Sequence, residues 1–145
     1  MKVVFDTNVV LDVLIGREPH FATGVELFDE LDKGRLEGVI CATTVTTVHY
    51  LAGRTLKAAR ARKLVADLLG LFGIAPVDEE VLRRALDLKF ADFEDAVVHE
   101  AATASGATAI VTRDTKGFSR ATLPVYTPIE LLAALGSTEA RRSGT

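Results

Sequence analysis

MKVVFDTNVVLDVL, residues 1–14, reads as a buried strand that delivers a carboxylate to the edge of a sheet. Val3, Val4 and Phe5 form a short β-branched and aromatic run without alternation, the pattern of a strand covered on both faces, as in a parallel sheet. The run stops at Asp6. Asp6, Thr7 and Asn8 are helix-start residues, and Val9, Val10, Leu11, Val13 and Leu14 resume at helical spacing. In open α/β sheets ligands sit outside the carboxyl ends of the strands, which is where this reading places Asp6. Two roles are open to it there: a helix N-cap, or one of several acids gathered at a single edge.

The same alternation continues outward. Short apolar strands are expected at residues 38–42, 73–77, 108–112 and 125–126, separated by amphipathic helices at 20–34, 56–72, 79–90 and 92–105. Residues 43–52, TTVTTVHYLA, have strand-like composition, but Val45, Val48, Leu51 and Ala52 share one helical face and predict a helix. Pro128 opens a last helix to Leu135. The pattern predicts an α/β fold: a three-layer sandwich around a five-stranded, mostly parallel sheet. It spans residues 1–135 as one domain, with 136–145 as a flexible C-terminal tail.

Composition narrows the class. A single cysteine, Cys41, forbids an internal disulfide and any cysteine-based metal site, which favours a reducing cytoplasm. Asp6 interrupts the N-terminal apolar run too early for a signal peptide, and the longest apolar stretch, 68–77, is broken by glycine and proline, so no membrane role is expected. A net charge of -3 excludes a uniformly basic coat, yet no acid falls between Glu37 and Asp67, where Arg54, Lys57, Arg60, Arg62 and Lys63 lie. That window suits either a solvated helix face or phosphate contacts.

Two further acidic stretches belong at the edge that holds Asp6. Asp92 and Asp95 open a helix three residues apart on one face, and Asp114 follows the fourth strand by two residues. Asp92 as N-cap with Asp95 behind it is also the pattern of a capping box, and Asp114 suits a turn. Should the acids converge, they repel one another unless a hard divalent cation, Mg²⁺ or Mn²⁺, compensates. The chemistry such an ion supports is phosphodiester hydrolysis. His99, one turn after Asp95, either orients that carboxylate or packs in an alanine-rich helix. Mutual repulsion also predicts that Asp6→Asn or Asp95→Asn raises stability without metal.

FDTNVVLDVL, DFEDAVVHEAA, IVTRDTKGF and VYTPIELL, taken in order, resemble the PIN domain family, small metal-dependent ribonucleases that include the VapC toxins. The resemblance implies a parallel sheet with an acidic pocket at its carboxyl edge. It implies Asp6, Asp95 and Asp114 as catalytic metal-binding acids for Mg²⁺ or Mn²⁺, with Asn8, Asp92, Thr112 and Thr47 in support. RNA contacts would fall to Arg54, Lys57, Arg60 and Arg113. The partners implied are RNA, an antitoxin that inserts into the pocket, and a second copy in a homodimer.

Two positions depart from the family pattern. Thr47 stands where the second acid is usually Glu, and Gly117 precedes Phe118 where many relatives carry Asp. Asp12 or Asp92 is a candidate to make up the deficit. The departures keep open an alternative, a PIN-like module that binds RNA or protein without cutting. A phosphatase of the haloacid-dehalogenase kind shares an Asp after its first strand, but Asn8 cannot supply the general acid it needs two residues later. A phosphoacceptor receiver would want its Asp after a central strand with a downstream Lys, and the edge of the third strand here is Val77 and Asp78.

Overall fold

Five strands, β1 (Lys2–Phe5), β2 (Glu37–Cys41), β3 (Gly73–Ala75), β4 (Ala109–Val111) and β5 (Val125–Tyr126), pair in the order β3-β2-β1-β4-β5. Every neighbouring pair is parallel, so the sheet is wholly rather than mostly parallel. The connections are α1 (Thr7–Leu14), α2 (Phe21–Asp32), α3 (Ala42–Thr55), α4 (Ala58–Leu71), α5 (Glu79–Asp87) and α6 (Phe93–Ala104), and α7 (Pro128–Ser143) follows β5. The structure is a computed structural model that describes residues 1–143, with side chains described through Ser137.

The unbroken apolar run of β1 has the expected consequence. Val3 and Phe5 point into one core with Val9, Val10, Leu27, Val48, Leu68 and Leu131, from α1, α2, α3, α4 and α7. Val4 points the other way, into a core with Val81, Ala85, Val97, Val98 and Ala101 from α5 and α6. Three layers follow from this two-sided burial. The rings of Phe5, Phe28 and Phe72 meet edge to face, with centroids 5.1–6.3 Å apart, and tie β1 to α2 and to the end of α4. Gly38 lets β2 approach them: a Cβ there would lie 2.6 Å from Leu31 and 2.9 Å from the Phe72 ring.

α3 is helical despite its β-branched composition. Thr44, Val48 and Ala52 bury one face, and the hydroxyls of Thr46 and Thr47 turn back to the Thr43 carbonyl at 2.9 and 3.1 Å, as mid-helix threonines do. α5 stops at Asp87, short of the expected Phe90, because Leu88 adopts an extended backbone that lets Phe90 pack against Phe118 and His99. α7 runs on to Ser143, past the tail boundary set at Gly136, through a segment of good helix formers such as Glu139, Ala140 and Arg141. Residues 144 and 145 of that expected tail lie outside the described residues. Among the described residues, no helix is long and apolar enough to cross a membrane.

Candidate active site

The chain leaves β1 toward β2 on one side, while β4 pairs on the other, so the strand order reverses between β1 and β4. A crevice opens at the carboxyl ends of such a pair. Register puts Phe5 beside Val111, and the Asp6 amide donates to the Val111 carbonyl at 2.9 Å, so Asp6 and Thr112 emerge side by side.

Asp6 fills both of its possible roles. It is the N-cap of α1, with Oδ1 accepting from the Thr7 amide at 2.9 Å. Its Oδ2 accepts from Thr112 Oγ1 at 2.8 Å and from Asn8 Nδ2 at 3.3 Å, and only 7% of the residue is exposed. Asn8 Oδ1 in turn accepts from the Arg113 amide at 3.2 Å, and Thr112 Oγ1 accepts from the Asp114 amide at 3.0 Å. Asn8 and Thr112 thus both hydrogen-bond the Asp6 carboxylate, and the Asn8 amide has no proton to transfer as an acid. Asp78, three residues past β3, caps α5 by accepting from the Val81 amide at 2.9 Å.

Asp95 and Asp114 close the other side. Asp114 Oδ1 accepts from the Gly117 amide at 3.1 Å, the expected turn role. A Cβ placed on Gly117 would lie 2.8 Å from Asp114 Oδ2 and also 2.8 Å from Asp95 Oδ2. One point therefore sits in contact with both carboxylates, and the departure at Gly117 leaves that cradle open. Asp92 is the N-cap of α6, accepting from the Glu94 amide at 2.8 Å rather than from Asp95 as a capping box would have it.

Burial pushes the Asp95 carboxyl up to about 7, and Asp6, Asp92, Asp114 and Glu94 push in the same direction. Asp6 is raised by burial, against the hydrogen bonds from Thr112 and Thr7, with Asp114 and Asp92 adding to the rise. Glu94, which the sequence reading passed over, is raised by burial and then by Asp92 and Asp6. Its signal was position: it is the neighbour of Asp95 in the first turn of α6.

Other expected residues stand elsewhere. Thr47 spends its hydroxyl within α3, while Thr44 is the α3 residue that reaches the site, at 3.2 Å from Thr7 Oγ1. Asp12 does not make up the missing charge. It is buried and ion-paired with Arg17 at 2.9 Å and with Arg113 at 2.6 Å, which commits the Arg113 guanidinium to α1. Arg54 lies over the Tyr50 ring at 5.9 Å, and Lys57 and Arg60 are exposed at the start of α4, with no contact to the acids among the described residues. His99 bonds to Thr122 rather than to Asp95: its Nε2 accepts from the Thr122 amide at 3.1 Å, and burial lowers its pKa. That bond places the proton on Nδ1, which has no hydrogen-bond partner among the described residues and lies 3.9 Å from Glu100.

An all-oxygen donor set suits a hard divalent cation. Among the described residues, no three His, Cys, Asp or Glu side chains gather closely enough to hold a metal ion by themselves. Mg²⁺ characteristically keeps several waters and binds through one or two carboxylates plus substrate phosphate, so the Gly117 cradle between Asp95 and Asp114 fits it in chemistry.

A profile of the PIN domain matches residues 2–116. No curated protein matches the chain. The fold is similar to a chain of the VapBC2 complex of Rickettsia felis bound to a promoter DNA fragment, with 16% identity, 88% of this chain and 98% of that one covered, and a TM-score of 0.67. It is similar to a chain of a toxin–antitoxin complex from Klebsiella pneumoniae, with 24% identity, coverages of 87% and 97%, and a TM-score of 0.66. It also resembles VapC20 of Mycobacterium tuberculosis, a sarcin–ricin loop cleaving toxin, with 14% identity, coverages of 74% and 86%, and a TM-score of 0.60. Most of the chain lies within the matched profile, and the protein belongs to the PIN domain family.

Proposed function

We propose that the protein is a Mg²⁺- or Mn²⁺-dependent endoribonuclease and the toxin of a type II toxin–antitoxin pair, working in the cytoplasm. The observation that carries this reading is the approach of Asp6, Asp95 and Asp114 at the carboxyl edge of β1 and β4, with Asp95 raised to about 7 by burial and by its acidic neighbours. A bound divalent ion would supply polarised water and would offset charge on the phosphate. The chain's own part is to hold the acids in place. Thr112 and Asn8 fix Asp6, the Gly117 amide fixes Asp114, and the first turn of α6 presents Asp95.

The sarcin–ricin loop cleaved by VapC20 supports an RNA substrate, and the toxin–antitoxin assemblies support an antitoxin partner. A homodimer belongs to the same proposal, as do RNA contacts from Arg54, Lys57 and Arg60, but not from Arg113, which Asp12 holds. Incubation of the purified protein with structured RNA tests it: cleavage in Mg²⁺, none in EDTA and none by Asp95→Asn is the expected result. Thr47 in place of the second acid favours a second reading, a PIN-like module that binds without cutting. Metal-independent RNA binding with no cleavage would establish that reading instead.

A further inference from the structure

Beside the acids, between the segment 89–91 and the turn 116–120, lies a cleft of about 310 Å³ lined by Lys89, Phe90, Lys116, Gly117 and Arg120. None of its lining residues is acidic. Among the described residues, no ion pair engages Lys89, Lys116 or Arg120, whereas Lys63, Arg83 and Arg84 on α4 and α5 each pair with a carboxylate four residues away. Gly117 belongs to both places: it lines the cleft, and its missing Cβ is the point shared by Asp95 and Asp114. The cleft therefore adjoins the Asp95 and Asp114 carboxylates through Gly117, while among the described residues its three cations form no ion pair with them.

We propose that this cleft is a phosphate subsite for single-stranded RNA, in which Lys89, Lys116 and Arg120 hold backbone phosphates adjoining the one presented to Asp6, Asp95 and Asp114. The inference rests on the endoribonuclease reading and gives a role to residues that the sequence analysis assigned none. Charge supplies the argument for the occupant. A polyanion that approaches the acids is repelled, and three cations at the rim supply the compensating attraction on the path of the same strand. Phe90 is half-buried beneath them, anchored against Phe118 and His99, so the segment 89–91 is held by the core.

The test is fluorescence anisotropy of a labelled oligouridylate in EDTA across a salt series. It compares the wild type with the triple variant Lys89→Ala, Lys116→Ala, Arg120→Ala and with a charge-matched control, Lys63→Ala, Arg83→Ala, Arg84→Ala. Loss of three phosphate contacts on a single strand lowers the slope of log affinity against log salt by about 2. The control leaves it unchanged. An unchanged slope in the first variant, an equal fall in the control, or no binding of the probe to the wild type overturns the proposal. So does binding of polyglutamate that the first variant loses while its oligouridylate slope stays intact, which would assign the cleft to an acidic protein partner. A reduced slope in a protein that never cleaves RNA keeps the subsite and removes the nuclease; cleavage with an unchanged slope does the reverse.

Discussion

Thr112 Oγ1 donates to Asp6 Oδ2 at 2.8 Å, joining residues 106 positions apart where the carboxyl ends of β1 and β4 meet. The same hydroxyl accepts from the Asp114 amide and, at 3.4 Å, from Asn8 Nδ2, so its hydrogen-bonding capacity is full. Thr112→Val would leave a buried carboxylate oxygen and the Asp114 amide without that partner. The expected loss is about 2 kcal/mol in urea denaturation, with Thr112→Ser losing much less. An unchanged midpoint for the valine variant would mean that this bond does not hold the edge together.

Asp6→Asn and Asp95→Asn, equivalent on charge crowding alone, are expected to differ in sign. The Asp6 carboxylate faces donors from Thr7, Thr112 and Asn8, and an amide nitrogen there would meet a Thr112 oxygen already satisfied. Asp6→Asn is expected to lower stability by about 1 kcal/mol despite the relief of repulsion. Asp95 has no such set of donors among the described hydrogen bonds, and Asp95→Asn is expected to raise the metal-free melting temperature. Differential scanning calorimetry of the two variants in EDTA decides it.

The Asp95 effect carries a pH signature. Its carboxyl sits at about 7 in the fold against 3.8 for the free group, so the unfolded chain releases that proton first. Stability is therefore fullest below pH 3.8 and declines as pH rises through 7. Asp95→Asn removes this dependence. Discounted for partial exposure, the variant should melt roughly 3 °C above the wild type at alkaline pH, with the gap closing toward acid. A gap that is constant from acid to alkaline pH would contradict the assignment.

Much of the fold was legible because its signals are local. The runs at Val3–Phe5 and at residues 109–111 are short, apolar and unalternating, and in a sheet covered on both sides nothing competes with that reading. The site was legible as far as strand ends and helix starts place acids at one edge. What was hidden depends on side chains distant in sequence. Asp12 finds Arg113 across 101 positions, and His99 turns to Thr122 in a loop whose path no periodicity encodes. Glu94, Lys89, Lys116 and Arg120 gain meaning only once α6 and the turn after Asp114 face each other.

Asp12→Ala follows from that hidden pair. Removing the buried carboxylate frees Arg17 and Arg113, both partly open to solvent, so hydration recovers part of the cost. About 2 kcal/mol should be lost in denaturant, with Mn²⁺ binding retained because both Asp12 oxygens are taken by Arg17 and Arg113. Loss of Mn²⁺ binding in a folded Asp12→Ala protein would place Asp12 in the metal site after all.

Thr47→Glu probes the missing second acid. Thr47 lies one turn beyond Thr44, which touches Thr7 beside Asp6, so a longer carboxylate there is expected to reach the same edge. Mn²⁺ affinity by isothermal titration should rise about tenfold as the ligand charge count grows. No gain would show that α3 does not face the ion.

The convergence of Asp6, Asp95 and Asp114 on one divalent ion is tested most directly by a crystal grown in Mn²⁺ and its anomalous difference map. The prediction is a peak beside the Gly117 backbone, about 2.1 Å from oxygens of Asp95 and Asp114 or of Asp6. A map without a peak at this edge, or with its only manganese elsewhere on the molecule, would contradict it.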